Sequence, residues 1–104
     1  MTIEITDETI NDVIANNDAV LIDFWAEFCT PCKMMLPIVN SLGEVNQGVV
    51  IAKLDVSKNP ESMAKYGVRG IPAFLFFSGG ELVHREVGGR SKNILQDLIN
   101  SKLL

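Results

Sequence analysis

The chain is short of basic residues, holds two cysteines and one histidine, and has no apolar run long enough to cross a bilayer. Each scarcity removes a class of function. Nine lysines and arginines against thirteen acidic residues give a net charge of −4, with both signs interspersed. Such a surface lacks the basic field that nucleic acid needs and the polybasic segment that an anionic membrane needs, so neither partner is expected. A spanning helix takes about 20 apolar residues, and the opening Met1-Thr2-Ile3-Glu4-Ile5-Thr6-Asp7 has neither the basic n-region nor the apolar h-region of a secretion signal. A soluble, cytoplasmic protein is the expectation, although two cysteines by themselves fit an oxidising or a reducing compartment. With 104 residues and no linker, repeat or low-complexity tract, a single domain spanning 1–104 around one core is expected.

What is present is concentrated in Trp25-Ala26-Glu27-Phe28-Cys29-Thr30-Pro31-Cys32-Lys33, where both cysteines stand three apart after an apolar segment. A zinc site would need about four N or S ligands. His84 is the one histidine, so a metal would require a second subunit or carboxylates, and no bound metal or cofactor is expected. His84 reads as an ordinary strand surface residue near a turn. The pair instead reads as a dithiol redox site at the start of a helix, where residues i and i+3 share a side and their sulfurs approach within disulfide reach. The first turn leaves N–H groups without partners and carries the positive end of the helix dipole, which favours a thiolate at Cys29. Pro31 suits a first turn, where its missing donor costs nothing. Lys33 adds positive charge nearby or is simply a solvated side chain.

Periodicity predicts a strand over 3–5, then a helix capped by Thr6 or Asp7 with Ile10, Val13 and Ile14 inward. A continuous apolar run, Ala19–Trp25, interrupted by Asp23, reads as a central strand covered on both faces. A helix over 30–47 turns Met35, Leu36, Val39, Leu42 and Val45 inward, bends at Pro37 and stops at Gly48. A second central strand covers 49–55, and a short helix runs from Asn59-Pro60 to Tyr66-Gly67. Strands over 71–77 and 82–87 flank the hairpin turn Ser78-Gly79-Gly80-Glu81. The last helix starts at Arg90 or Ser91, with Ile94, Leu95, Leu98 and Ile99 inward. The order βαβαβαββα packs as an α/β domain, a central mixed sheet of about five strands flanked by about four helices.

Taken together, these residues resemble the thioredoxin family over nearly the whole chain. The similarity lies in Val20-Leu21-Ile22-Asp23-Phe24-Trp25-Ala26-Glu27, in Cys29 to Cys32 with Lys33-Met34, in Pro37, and in Val50-Ile51-Ala52-Lys53-Leu54-Asp55. It continues in Asn59-Pro60, in Lys65-Tyr66-Gly67-Val68-Arg69-Gly70-Ile71-Pro72, in Gly79-Gly80 and in Val87-Gly88. Three positions depart from the family pattern. Thr30 stands where glycine is usual, Phe28 replaces a second tryptophan, and Ala73 replaces a common threonine.

The resemblance implies the thioredoxin fold and a protein-disulfide reductase that carries a redox-active Cys29–Cys32 disulfide and no bound cofactor. Cys29 would be the nucleophile and Cys32 the resolving thiol. Asp23 is costly to bury as an ion, and desolvation should raise its pKa; by resemblance it exchanges a proton with Cys32 through water, with Lys53 in the neighbouring strand as its charge partner. Thr30, Pro31 and Lys33 would tune the site. Ile71-Pro72 resembles the family's cis-proline, and backbone groups of Ile71 would pair with an extended target segment. Trp25, Gly70 and Gly88, with Gly89 beside it, would complete a low apolar rim, and Trp25 serves equally as core packing. The partners implied are oxidised protein disulfides and a thioredoxin reductase, NADPH- or ferredoxin-linked, acting on a monomer. A disulfide oxidant or isomerase on the same fold, or a structural subunit in which redox chemistry is dispensable, are the competing readings.

Overall fold

Strand and helix follow one another as β1 (Thr2–Ile5), α1 (Ile10–Ala15), β2 (Ala19–Trp25), α2 (Thr30–Val45), β3 (Val50–Asp55), α3 (Pro60–Lys65), β4 (Ala73–Ser78), β5 (Glu81–Val87) and α4 (Lys92–Lys102). The structure, a computed structural model, describes residues 2–104. Among the described residues one five-stranded sheet runs in the order β1-β3-β2-β4-β5. β1, β3 and β2 are mutually parallel, while β4 runs antiparallel to both β2 and β5.

β2 is therefore the middle strand, and the alternation of its side chains builds both halves of the core. Val20, Ile22 and Phe24 join Ile10 and Ile14 of α1, with Met63 of α3 packed against them. Ala19 and Leu21 face the other way, toward Met35, Val39 and Leu42 of α2 and Leu95 and Ile99 of α4. The parallel neighbours of β2 need crossover connections, and the antiparallel end needs only the Gly79-Gly80 turn, whose positive φ values of 58° and 87° suit a two-residue hairpin.

Three boundaries differ from the expected ones by two residues or more, each for a local reason. α1 starts at Ile10 because Thr6 and Thr9 first close a turn, the Thr9 and Ile10 N–H groups both donating to the Thr6 carbonyl. Asp7 caps another helix: its carboxylate accepts from the N–H groups of Glu61 and Ser62 at 3.2 and 2.8 Å, at the start of α3. α2 stops at Val45, short of Gly48, because the Asn46 amide turns back to the Leu42 carbonyl and exchanges two hydrogen bonds with Gln96 of α4. β4 starts at Ala73 because Ile71–Pro72 is a cis peptide that turns the chain first.

α2 continues through Pro37, and Ser91 caps α4 by accepting the Ile94 N–H at 3.2 Å. Two residues expected inside, Val45 and Ile94, are exposed, while Gly43 takes an inner place on α2.

Candidate active site

Three segments meet beyond the end of β2. The first is the β2–α2 junction. After Trp25 the chain turns tightly, the Cys29 N–H donating to the Ala26 carbonyl at 3.1 Å, and Cys29 becomes the N-cap of α2 with extended backbone. Pro31 occupies the first turn, where it displaces no helical hydrogen bond. Cys29 and Cys32 form a disulfide with Cα atoms 5.2 Å apart. The Cys32 N–H, one of the unpaired donors of the first turn, points at the Cys29 sulfur at 3.3 Å. A side-chain oxygen usually fills this capping role; here a sulfur fills it, and the same donor would face a thiolate after reduction.

The two cysteines are not equivalent. Cys32 is fully buried, whereas Cys29 is partly exposed. Thr30 and Lys33 are solvent-exposed. Phe28 and Met34 flank the pair, 77% and 72% exposed. Neither was expected as surface, although Met34 falls outside the Met35, Val39 and Leu42 stripe, which was the available signal.

The second segment is Gly70-Ile71-Pro72. The Ile71 carbonyl oxygen lies 3.9 Å from the Cys29 sulfur, and the β4–β5 ladder begins only at Ala73, so the backbone of Ile71 stays outside the sheet beside the disulfide. Gly70 has a reason of its own to be small: a Cβ there would come within 3.2 Å of Val87 Cγ1. The third segment is the end of β5, where the Gly88 N–H donates to the Pro72 carbonyl at 2.7 Å and Gly88 holds φ at +97°.

Below this surface lies Asp23. Its parity in β2 matches Ala19 and Leu21, so its carboxyl points to the side covered by α2. It is 1% exposed, and neither carboxylate oxygen has a hydrogen-bond partner. Desolvation pushes its pKa up from 3.8 to about 7, with the Lys53 charge pulling partly the other way. Lys53 does lie directly across from Asp23 in the β2–β3 register. The expected charge pairing is nonetheless a through-space one: the Lys53 ammonium sits over the Trp25 ring, 5.6 Å from its centroid. Trp25 is half-buried, and its buried indole N–H has no hydrogen-bond partner.

His84, expected as an ordinary surface residue, lies half-buried on β5. Its Nε2 meets Glu86 at 2.8 Å and its ring stands edge-on to Phe76. Among the described residues no group of histidine, cysteine and carboxylate side chains could hold a metal ion, and no helix is long and apolar enough to cross a membrane.

The family model described as Thioredoxin matches residues 1–101. A thioredoxin of Buchnera aphidicola subsp. Baizongia pistaciae is 41% identical over 100 residues, covering 94% of this chain and 92% of that protein. A bifunctional thioredoxin reductase/thioredoxin of Mycobacterium leprae is 43% identical over 101 residues, which cover 94% of this chain and 22% of that protein. A thioredoxin from Halobacterium salinarum NRC-1, solved as a point mutant, superposes with a TM-score of 0.93 at 38% identity, covering 99% of this chain and 91% of that one.

Proposed function

This chain belongs to the thioredoxin family and is a thiol-disulfide oxidoreductase that reduces protein disulfides, and we propose that Cys29 attacks the target while Cys32 resolves the complex. One observation carries the assignment: Cys29 is partly exposed with a helix N–H on its sulfur, whereas Cys32 is fully buried. In the reduced protein the Cys29 thiolate attacks one sulfur of the target disulfide. A Cys29–target bond forms, and the target's second sulfur leaves as a thiolate that takes up a proton. Cys32 then gives its proton, through water, to Asp23 and attacks the Cys29 sulfur. The intramolecular disulfide forms, and the first target sulfur leaves as a thiolate that is protonated in turn. Two electrons pass to the target, and the protein ends in the oxidised state described above.

Asp23 suits this task because a carboxyl titrating near 7 both accepts and returns a proton at neutral pH. Lys53 holds that value down by its charge and holds Trp25 by its position over the ring. Thr30, Pro31 and Lys33 shape the first turn. Trp25, Gly70, Ile71, Pro72 and Gly88 form the surface on which an extended target segment lies, the free backbone of Ile71 pairing with it. The 104 residues act as one domain and as a cytoplasmic monomer, re-reduced by a thioredoxin reductase that draws on NADPH or ferredoxin. In the Mycobacterium leprae relative a reductase and a thioredoxin share one chain, as its name states.

The test is stoichiometric. Reduced protein mixed with insulin should lose two thiols for every insulin disulfide opened, with insulin gaining two. Loss of protein thiols without gain on insulin would refute the reductase assignment, and sedimentation of the same sample reads the monomer.

A further inference from the structure

Beyond the cysteine segment, the end of β5 and the loop that follows it carry a closed set of polar contacts, from His84 to Arg90, that the exchange reaction does not use. Glu86 and His84 point to the α2 and α4 side of edge strand β5, opposite Phe74 and Phe76 in the ladder. The Glu86 carboxylate is held at both oxygens: His84 Nε2 donates to Oε1 at 2.8 Å and Arg90 Nε to Oε2 at 2.8 Å. Arg90 Nη1 donates onward to the Gly89 carbonyl at 2.9 Å. These partners keep Glu86 ionised, the His84 hydrogen bond first among them, against the effect of its burial. His84 is in turn braced by the edge-on contact with Phe76, a fully buried core residue, at 5.5 Å between ring centres.

The guanidinium thus closes over the two glycines. A Cβ placed on Gly88 would come within 3.2 Å of Arg90 Nη1, so the arginine lies against Gly88 on one side while Pro72 accepts its N–H on the other. Glycine pairs are the most mobile backbone in a loop, and this one forms a wall of the proposed target surface.

We propose that Arg90 and Glu86 are positioning residues for substrate: their clasp holds the Gly88-Gly89 loop in the conformation that receives an extended protein segment beside Ile71–Pro72. This rests on the surface assigned above. The clasp touches neither sulfur, so its contribution belongs to recognition of a polypeptide and not to thiol chemistry. A small disulfide that needs no such wall is the natural control.

Arg90→Ala should raise KM for insulin about tenfold, the scale on which losing a charge-assisted contact unlocks a preorganised loop, with kcat little changed. Its rate with oxidised glutathione and its dithiol potential should equal those of the parent. Arg90→Lys keeps the charge but cannot span Glu86 and the Gly89 carbonyl together, so it should recover only part of the KM. Glu86→Gln should match Arg90→Ala, and the double variant should add little, because the two residues act as a unit. An unchanged insulin KM in Arg90→Ala overturns the clasp, and so does an equal loss with glutathione, which would place the effect on the chemistry or on the fold. If Arg90→Ala melts early, Arg90→Lys and Glu86→Gln carry the comparison by the same criteria. Failure of the parent protein to reduce insulin would instead overturn the surface assignment itself.

Discussion

The two faces of β2 solve the same burial problem in opposite ways. Val20, Ile22 and Phe24 face α1 and α3 with nothing but hydrocarbon, and all three are fully buried. On the other side Ala19 and Leu21 are followed by Asp23, equally buried, with both oxygens unpartnered. The neighbouring strand shows that a buried carboxylate can be satisfied, since Asp55 accepts from the Ser57 N–H and hydroxyl at 2.9 and 2.6 Å. An unpartnered ion in that position works against folding. Both faces bury apolar side chains, and the face under the helix that carries the cysteines also buries a carboxyl whose ionisation opposes folding.

The sharpest way to break the comparison is at the sulfurs. Cys29→Ser should abolish reduction of protein disulfides and trap nothing, while Cys32→Ser should attack normally and accumulate a covalent complex that dithiothreitol cleaves. Burial sets this asymmetry, because a sulfur as deep as Cys32 reaches only a partner already joined to Cys29. Non-reducing gels of the two variants with an oxidised target read it directly, and equal trapping by both would reverse the roles.

Asp23→Asn comes next, with effects on rate and on stability. It should slow resolution of the mixed disulfide by roughly 10²-fold, the scale of one general acid–base contribution, and leave the attack by Cys29 nearly untouched. Rapid-mixing traces separate the two steps. On stability, the folded pKa of about 7 lies above the ordinary 3.8, so the native state holds the proton across that window. Native stability is fullest below the window, falls as pH rises through it, and carries the whole penalty above it. For a shift of this size the loss is on the order of 4 kcal/mol. Urea unfolding should therefore find the variant more stable at pH 8 by up to about that amount, with the difference almost gone near the acid end of the window.

Ile22→Ala tests the other face. Truncating a fully buried side chain on the central strand should cost about 3 kcal/mol in urea unfolding, at unchanged dithiol potential and unchanged exchange rates. A shift in potential would show that the α1 and α3 face also communicates with the sulfurs.

How far the chain could be read in advance follows the range of the interactions concerned. β2 was legible to the residue because a middle strand covered on both faces leaves an unbroken apolar run, and the β4–β5 turn was legible because Gly79-Gly80 supplies two positive φ values locally. The start of α1 was not. Thr6, Asp7 and Thr9 are all competent caps, and the choice is made by the α3 N–H groups that take Asp7, more than fifty residues away. Val45 and Ile94 obey the helical period yet are 59% and 48% exposed, while Leu42 and Leu95 beside them on the same helices are fully buried.

In the site, the cysteines, the buried Asp23 and the cis Ile71–Pro72 were legible from residue type, spacing and family resemblance. That Lys53 would stand over Trp25 was not, since the register puts it directly across from Asp23, with Trp25 two residues further along the same strand. The Glu86–Arg90 clasp had a signal, an acid and a base four apart across Gly88-Gly89. Its meaning required the fold, which brings that loop against Pro72.

The smallest effect is expected at Thr30, and it sharpens the contrast between the exposed and buried ends of the site. Thr30 is exposed and follows Cys29, whose sulfur becomes a thiolate on reduction. A hydrogen bond gained only then stabilises the reduced form alone, which raises the potential. Removing it with Thr30→Val, which keeps the β-branch, should lower the potential by about 20 mV, the equivalent of about 1 kcal/mol for a two-electron couple. Thr30→Ser keeps the donor and should stay near the parent. Thr30→Gly removes the hydroxyl and frees the backbone, so its difference from Thr30→Val isolates the conformational part. Equilibration with glutathione measures all four proteins on one scale, and a Thr30→Val potential identical to the parent would assign any change in Thr30→Gly to the backbone of the first turn.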